Sequence, residues 1–376
     1  MSDVKSNICW EPWVGLNVSQ QGQFKPCCRY DHPIADNFLD YENSLELADL
    51  KQEFLKGNRP SACYRCWNSE DAGGVSRRQQ VWRDVFKNTK PQLDELKILM
   101  FSFGNSCNLA CRTCSSYQSS SWIKEEKKLS KIFPELKIHG HQRFYQDPRF
   151  LDQLKDRCKN LQQAHFIGGE PFIAGIDEHL DFLDHLLANN PQNITLYYTT
   201  NCTVFPQQEF WDRWTKFQRI ELSLSIDGIG NQFGYTRWPA VWDETLEILK
   251  KYRAVKVDNI DLTISHVISV FTVYYYPEFT KWCVQNKFSL PISNLLDRPK
   301  HYNIKILPKA VKDKIAEKLG RFNFKEIVYY MYSEDLSEEF DTTIKYIHAV
   351  DQQRNQIFAE TYPEFYNILK DAGCQI

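Results

Sequence analysis

Residues 96–114 read Leu96-Lys-Ile-Leu-Met-Phe-Ser-Phe-Gly-Asn-Ser-Cys107-Asn-Leu-Ala-Cys111-Arg-Thr-Cys114, and the reading of this stretch decides the fold. An apolar run, 96–103, ends in Gly104-Asn105-Ser106, a loop signal. Three thiols then share one loop. Three thiolates can hold three irons of a four-iron cubane, whereas a full set would need four. The fourth iron is left open to an exogenous ligand, and at that open position chemistry can occur. A zinc site would need a fourth Cys or His close by, and none follows before His139. Three packed cysteines without a metal are the remaining reading.

The other cysteines are placed just as unevenly. Eight of the 12 precede residue 115: Cys9, Cys27, Cys28, Cys63, Cys66, Cys107, Cys111 and Cys114. Cys158, Cys202, Cys283 and Cys374 are scattered. With 376 residues the chain can bury a large core, so neither disulfides nor metals are needed to hold it together. Close thiol spacings in such a chain read first as metal or cluster ligands. Hydrophobic residues at 42% and charged residues at 25% exclude a largely disordered chain. A net charge of -2 excludes a strongly basic nucleic-acid footprint. No apolar run reaches membrane-spanning length; the most lipid-like stretch, 262–276, is interrupted by Ser265, His266, Ser269 and Thr272. The first residues, MSDVKSNICW, hold no apolar signal core, so the expected location is cytoplasmic.

Downstream of the loop, strand and helix patterns alternate. Residues 163–167 read as a buried strand ending in Gly168-Gly169-Glu170-Pro171. A helix follows with Ile176, Leu180, Leu183 and Leu187 on one stripe, which leaves His179 and His185 on a solvated face. The next strand, 194–200, runs into Asn201 and Cys202. In 220–227, Ile220, Leu222, Leu224 and Ile226 alternate with Glu221, Ser223, Ser225 and Asp227. The apolar set is expected to face helices and the polar set a lumen. A helix from Pro239 leads to a strand at 260–268, where His266 breaks the alternation and is open to either face. About five βα units follow the loop, as an α/β barrel requires.

The cysteine spacing, with Asn108-Leu109 after the first thiol, closely resembles the radical SAM superfamily. Gly168-Gly169-Glu170-Pro171 is similar to its Gly-Gly-Glu-Pro motif. Ser225-Ile-Asp-Gly228 followed by Tyr235-Thr-Arg237 resembles its fourth-strand motif. The resemblance implies a partial (β/α)6 TIM-like barrel. It also implies a [4Fe–4S] cluster on Cys107, Cys111 and Cys114 that binds S-adenosylmethionine (SAM). Gly168, Gly169, Glu170 and Pro171 would border the methionine amino group, and Asn201, Ser225, Asp227 and Arg237 would line the rest of the cofactor. The implied reaction is reductive cleavage of SAM to a 5′-deoxyadenosyl radical, which abstracts hydrogen from a substrate. Two positions depart from the family. Thr113 stands where an aromatic residue usually precedes the last cluster cysteine, and Cys202 stands where a Gly often follows Thr-Asn. Cys202 is read as a buried small residue, with hydrogen donation as the alternative.

The N-terminal segment reads Cys9-Trp-Glu-Pro-Trp13, then Gly22, Pro26-Cys27-Cys28, a helix over 44–56 stopped by Gly57, and Cys63-Tyr-Arg-Cys66-Trp67. This resembles the SPASM/twitch auxiliary-cluster module, placed before the barrel as in a radical SAM group with an N-terminal twitch domain. By that resemblance Cys9, Cys27, Cys63 and Cys66 hold one auxiliary [4Fe–4S] cluster, with Cys27 preferred to Cys28 on its spacing from Gly22. A zinc ribbon on these thiols is the alternative, since soft thiolates suit either metal. Arg77-Arg78 and Lys124, Lys127, Lys128 and Lys131 read as solvated charge.

After residue 300 helices are expected over 309–319, 335–358 and 363–370. Asp351 and Arg354 are read as a local ion pair, and His139-Gly-His141 as a loop. The expected organisation is an N-terminal auxiliary Fe–S domain (1–80), the barrel (93–300) and a C-terminal helical extension (301–376). The expected function is that of a radical SAM enzyme carrying out oxidative modification or bond formation on a peptide or protein, with the auxiliary cluster as electron acceptor. A carbohydrate, nucleoside or other small metabolite is the alternative substrate. A non-catalytic Fe–S electron carrier or a zinc-ribbon binding module is the alternative class. The expected partners are the substrate and a reductase such as flavodoxin or ferredoxin; neither a membrane nor nucleic acid is among them.

Overall fold

Eight short strands form one sheet: β1 (Gly15–Val18), β2 (Phe24–Lys25), β3 (Ile98–Phe101), β4 (Gln163–Phe166), β5 (Thr195–Thr200), β6 (Arg219–Ser225), β7 (Ile260–Ile268) and β8 (Ile292–Leu295). The computed structural model describes residues 7–71, 73–86 and 95–376. The expected boundary at residue 93 and the first six residues of the chain lie outside these. The strand order is β2-β1-β3-β4-β5-β6-β7-β8. Every neighbouring pair is parallel except β1 with β2. From β3 to β8 consecutive strands lie side by side, and each connection carries at least one helix, which is how parallel neighbours are joined. Six such strands match the expected partial barrel. The sheet is open, with β2 and β8 at its edges.

Alternation along the strands explains the layering. Leu99 and Phe101, Ala164 and Phe166, Leu196 and Tyr198, and Ile220, Leu222 and Leu224 are all at most 1% exposed and form the face under the helices. Burial of each large apolar side chain contributes roughly 1.5–3 kcal/mol. The opposite face is polar. There His165, Tyr197, Glu221 and Asp261 stand in one register, and the His165 and Tyr197 rings stack at 4.2 Å. One layer further on, Thr199, Ser223 and Thr263 align.

The main core runs through all parts of the chain, from Leu16 and Phe24 through the strands to Phe365 and Leu369. β1 and β2 join the N-terminal segment to the sheet edge at β3. The helix Leu45–Leu55 follows its expected limits, capped by Ser44, whose hydroxyl accepts from Leu47 N–H. Its end is set by Gly57 at φ +76°, a left-handed conformation.

Three expectations are corrected. His179 is not solvated: it is fully buried, its Nε2 lies 3.0 Å from the Tyr198 hydroxyl, and its ring stacks on Phe103. The buried stripe of that helix, Ile176–Leu187, is His179, Phe182, Leu183 and Leu186. His185 is half-buried against the Lys155 carbonyl. Arg77 and Arg78 are not a solvated pair either. Arg77 lies 3.0 Å from Glu11, and Arg78, buried, is 2.6 Å from Glu70. The four lysines Lys124, Lys127, Lys128 and Lys131 are exposed, as expected. Finally, the expected 335–358 helix is interrupted. Phe340–Arg354 ends at Asn355 with φ +51°, and a separate turn, Phe358–Thr361, follows. A further helix, Lys325–Tyr332, was not among those expected.

Candidate active site

The 107–114 loop leaves the carboxyl end of β3, where open α/β sheets bind ligands. It has no regular structure of its own, so its backbone groups are satisfied by their surroundings. Ser121 Oγ donates to the Cys107 carbonyl (2.7 Å) and Trp122 Nε1 to the Cys111 carbonyl (2.8 Å). Ala110 N–H donates to the Trp238 carbonyl (2.7 Å) and Arg112 N–H to the Thr236 carbonyl (2.8 Å). Cys111 and Cys114 share a thiol hydrogen bond, which lowers the Cys111 pKa and raises that of Cys114. Burial pushes Cys107 up to about 12. Asn105, fully buried, ties the start of the loop to 116–142. It donates to the Ser116 and Gly140 carbonyls and accepts from Gln142 N–H. His139 and His141 lie in a loop, as expected, and His141 Nε2 is 2.5 Å from Ser106 Oγ.

The strand ends supply the other expected residues. A Cβ on Gly168 would lie 2.4 Å from Ser102 Oγ, and one on Gly169 would lie 2.3 Å from the Ser106 carbonyl, so only glycine fits at either position. Glu170 is fully buried and followed by buried Pro171. Its carboxylate accepts from Asn201 N–H (2.7 Å) and Thr200 Oγ1 (2.8 Å), which locks the end of β4 to that of β5; burial raises its pKa to about 7. Asn201 Nδ2 reaches Asn108 (2.9 Å) and Cys107 Sγ (3.7 Å). Beyond β6, buried Asp227 accepts from Val267 N–H (2.7 Å) and pairs with Arg237 at 2.8 Å. Arg237 in turn exerts its field on Cys111, Cys114 and Cys202. Ser225 is buried at the end of β6. His266 packs into the helix layer against Phe279, its Nδ1 2.8 Å from the Ile226 carbonyl. Cys202 is fully buried with φ +61° and its Sγ 3.9 Å from the Thr200 carbonyl.

Sequence reasoning missed the residues that brace the loop from far away. Asp351 and Arg354 do not pair with each other. Asp351 takes Arg112, a fully buried residue between two of the cysteines, together with the Tyr235 hydroxyl (2.7 Å) and Phe358 N–H (2.9 Å). Arg354 takes Glu125 (2.8 Å) and the Ala110 carbonyl (2.7 Å). A spacing of three on a helix suggests a local pair, but the partners on the cysteine loop and at Glu125 lie more than 200 positions away and leave no local signal. Arg112 itself carried one, as a cation inside a thiol loop.

The N-terminal thiols also gather. Cys9 lies within the electrostatic reach of Cys63 and Cys66, and Cys27 within that of Cys9 and Cys66. Cys27 and Cys63 pack on a small core of Cys9, Tyr30, Leu50, Phe54 and Trp67. Burial raises the pKa of all four, Cys63 to about 12.

Among the described residues no three His, Cys, Asp or Glu side chains already stand at metal-holding geometry. The donor chemistry fits Fe–S clusters nonetheless. Both sets are all-thiol, and a bound metal cation reverses the burial penalty on thiolates. The partnerless buried Nε of Arg237 fits the carboxylate of an amino-acid headgroup beside the first set.

The profile of the radical SAM superfamily matches residues 101–290. A cysteine-type anaerobic sulfatase-maturating enzyme of Clostridium novyi (strain NT) is 24% identical over 140 residues, which is 36% of this chain and 33% of that protein. The chain thus matches about a third of its curated relative. Among solved structures, native anSMEcpe with bound AdoMet shares 18% identity and a TM-score of 0.42, covering 64% of this chain and 62% of that one. Streptococcus suis SuiB bound to S-adenosylmethionine shares 16% identity and a TM-score of 0.38, covering 75% and 58%. Overlaps this weak leave the fold resting on the chain's own sheet.

Proposed function

From the premise that the chain belongs to the radical SAM superfamily, we propose that it is a radical enzyme acting on a peptide or protein, with a second cluster in its N-terminal segment. The observation that carries this reading is the convergence of Cys111 and Cys114, with Cys107 beside them, on the Asp227–Arg237 pair beyond the carboxyl ends of β3 and β6. When bound, the reduced cluster and SAM supply a 5′-deoxyadenosyl radical that takes a hydrogen atom from the substrate.

The chain's own residues bind, orient and exclude water. The three loop thiolates would hold three irons of a cubane and leave its fourth open to an exogenous ligand. Gly168 and Gly169 let the turn after β4 close on Ser102 and on the Ser106 carbonyl of the cysteine loop, and Arg237 offers a guanidinium to a carboxylate. Asp227 orients that guanidinium. Glu170 ties the ends of β4 and β5 together through Thr200 and Asn201. Thr199, Ser223 and Thr263 put small hydrogen-bonding groups in one row on the polar face of the sheet, suited to a polar substrate. Cys9, Cys27, Cys63 and Cys66 hold an auxiliary cluster entirely by protein ligands, a role suited to passing electrons rather than binding substrate. The choice of a peptide leans on the sulfatase-maturating relative. A small metabolite is the competing substrate.

The test is iron, sulfide and zinc per chain after anaerobic purification, together with 5′-deoxyadenosine formed from SAM under dithionite. Wild type should carry two cubanes' worth of iron. The Cys107/Cys111/Cys114 triple Ala variant should keep about half and form no 5′-deoxyadenosine, whereas Cys63→Ala should keep SAM cleavage. Zinc with one cubane would turn the N-terminal module into a structural ribbon. Cleavage that survives the triple substitution would end the radical reading.

A further inference from the structure

Three buried arginines lie in or against the 107–114 loop, and each already has a carboxylate: Arg112 has Asp351, Arg237 has Asp227 and Arg354 has Glu125. Each nevertheless keeps one buried nitrogen with no acceptor, namely Arg112 Nη1, Arg237 Nε and Arg354 Nη1. A buried donor left unmade costs about 1–3 kcal/mol, and folded interiors hold few of them. Orphans this close to the thiols mark a place built for more negative charge than the protein itself supplies. For Arg237 and Arg354 the acceptors to hand are the thiolates of the loop, whereas Arg112 is turned to Asp351, Gln356 and the Tyr235 ring. The fields of Arg237 and Arg354 both reach Cys111.

Two members of this network come from the helix Phe340–Arg354, which contributes no strand to the sheet and no cysteine to the loop. Arg354 nevertheless donates to the carbonyl of the residue just before Cys111 while its guanidinium lies over Trp122, and Trp122 donates to the Cys111 carbonyl. Asp351 fixes Arg112, whose guanidinium lies 3.6 Å over the Tyr235 ring and whose Nε donates to the Tyr235 carbonyl.

We propose that Asp351 and Arg354 are positioning residues for the radical cluster: Asp351 holds Arg112 within the loop, and Arg354 holds the Ala110 carbonyl and supplies positive field at the Cys111 ligand. This rests on the reading of Cys107, Cys111 and Cys114 as cluster ligands. Reduction adds one electron from an external reductant to an already anionic group, so a nearby fixed cation favours the reduced state.

The test uses the full chain, purified anaerobically as wild type, Arg354→Gln, Arg354→Lys and Asp351→Asn, with iron and sulfide measured for each. The EPR signal that changes when SAM is added to dithionite-reduced protein selects the open-iron cluster, and its midpoint potential is followed by redox titration. Arg354→Gln is expected to shift the midpoint to more negative potential, and Arg354→Lys to bring it back toward wild type. Loss of the loop's iron in Arg354→Gln but not in Arg354→Lys supports the same conclusion. Asp351→Asn is expected to alter the line shape of that signal. Wild-type potential in Arg354→Gln together with wild-type line shape in Asp351→Asn overturns the proposal, whatever the loss of thermal stability. Equal iron loss in Arg354→Gln and Arg354→Lys overturns it too, because shape rather than charge would then be required. A wild type with no SAM-sensitive signal defeats the cluster reading itself, and this proposal falls with it.

Discussion

His179 shows why a single side chain can be misread from its helix. On the sequence it falls off the leucine stripe, but the buried face is turned by one position to suit Phe166 and Tyr198 of the sheet below. Burial lowers its pKa to about 3. Between about pH 6.5 and 3 the unfolded chain therefore binds a proton that the folded chain refuses. Stability is lost as pH falls through that window, by up to about 1.4 kcal/mol per pH unit from this one group. His179→Gln, which can still reach the Tyr198 hydroxyl, should flatten the dependence of urea-unfolding stability on pH between 6.5 and 4.5. An unchanged slope would mean that His179 takes up its proton in the fold as it does in the unfolded chain. Cys202 makes the opposite case, because its departure from glycine was legible and the structure explains what it costs. At φ +61° a side chain carries about 1–2 kcal/mol of backbone strain. Cys202→Ala keeps that strain and loses the sulfur contacts, whereas Cys202→Gly loses the contacts but relieves the strain. Calorimetry should find the Gly variant at least as stable as the Ala variant, the reverse of the usual order. An Ala variant more stable by about 1 kcal/mol would refute the strain argument.

Strands β3 to β7 were legible because each alternates or runs apolar between clear stops, and β4, β5, β6 and β7 fall within two residues of their expected limits; β8, only Ile-Ser-Asn-Leu, was not. The joining of β1 and β2 to β3 was not, since a four-residue and a two-residue strand carry too short a pattern to read. The turn between β4 and the helix Ile176–Leu187 was the most legible part of the site. Gly-Gly-Glu-Pro names two positions that must lack a Cβ and one that must be an acceptor. Gly169→Ala places a methyl 2.3 Å from the Ser106 carbonyl in a left-handed conformation, and backbone cannot swing aside as a flexible side chain can. The cost should be about 2 kcal/mol or more in unfolding free energy. The loop shift it forces should also weaken SAM binding in equilibrium dialysis. Gly57 is under no such constraint, because nothing lies near its Cβ position. Its replacement by Ala should cost far less, only the strain of a φ of +76°. Equal losses at the two glycines would show that conformational strain, rather than contact with the cysteine loop, explains the motif.

At the scale of the whole molecule, the sheet crosses the boundary expected near residues 80–93, and the core crosses both that one and the one expected at 300. Composition could not show this, because hydrophobic content is blind to contacts between residues far apart in the chain. The C-terminal segment alone contributes Ile304, Val311, Ile315, Ile347, Tyr362 and Leu369 to the main core, each at most 2% exposed. At roughly 1.5–3 kcal/mol apiece, these six match the entire net stability of an ordinary domain, about 5–15 kcal/mol. The same segment holds Arg112 through Asp351. A separable helical extension would leave a barrel able to fold on its own and would melt in a transition of its own. The shared core predicts the reverse. The full chain should unfold in one main calorimetric transition, and a chain ending at residue 300 should be insoluble or lack a cooperative transition. It should also fail to take up iron at Cys107, Cys111 and Cys114 under conditions that load the full chain. A soluble 1–300 fragment that melts cooperatively and loads its loop cluster would separate the extension from the barrel. It would also remove the energetic reason for a helix more than 200 residues downstream to grip the cysteine loop.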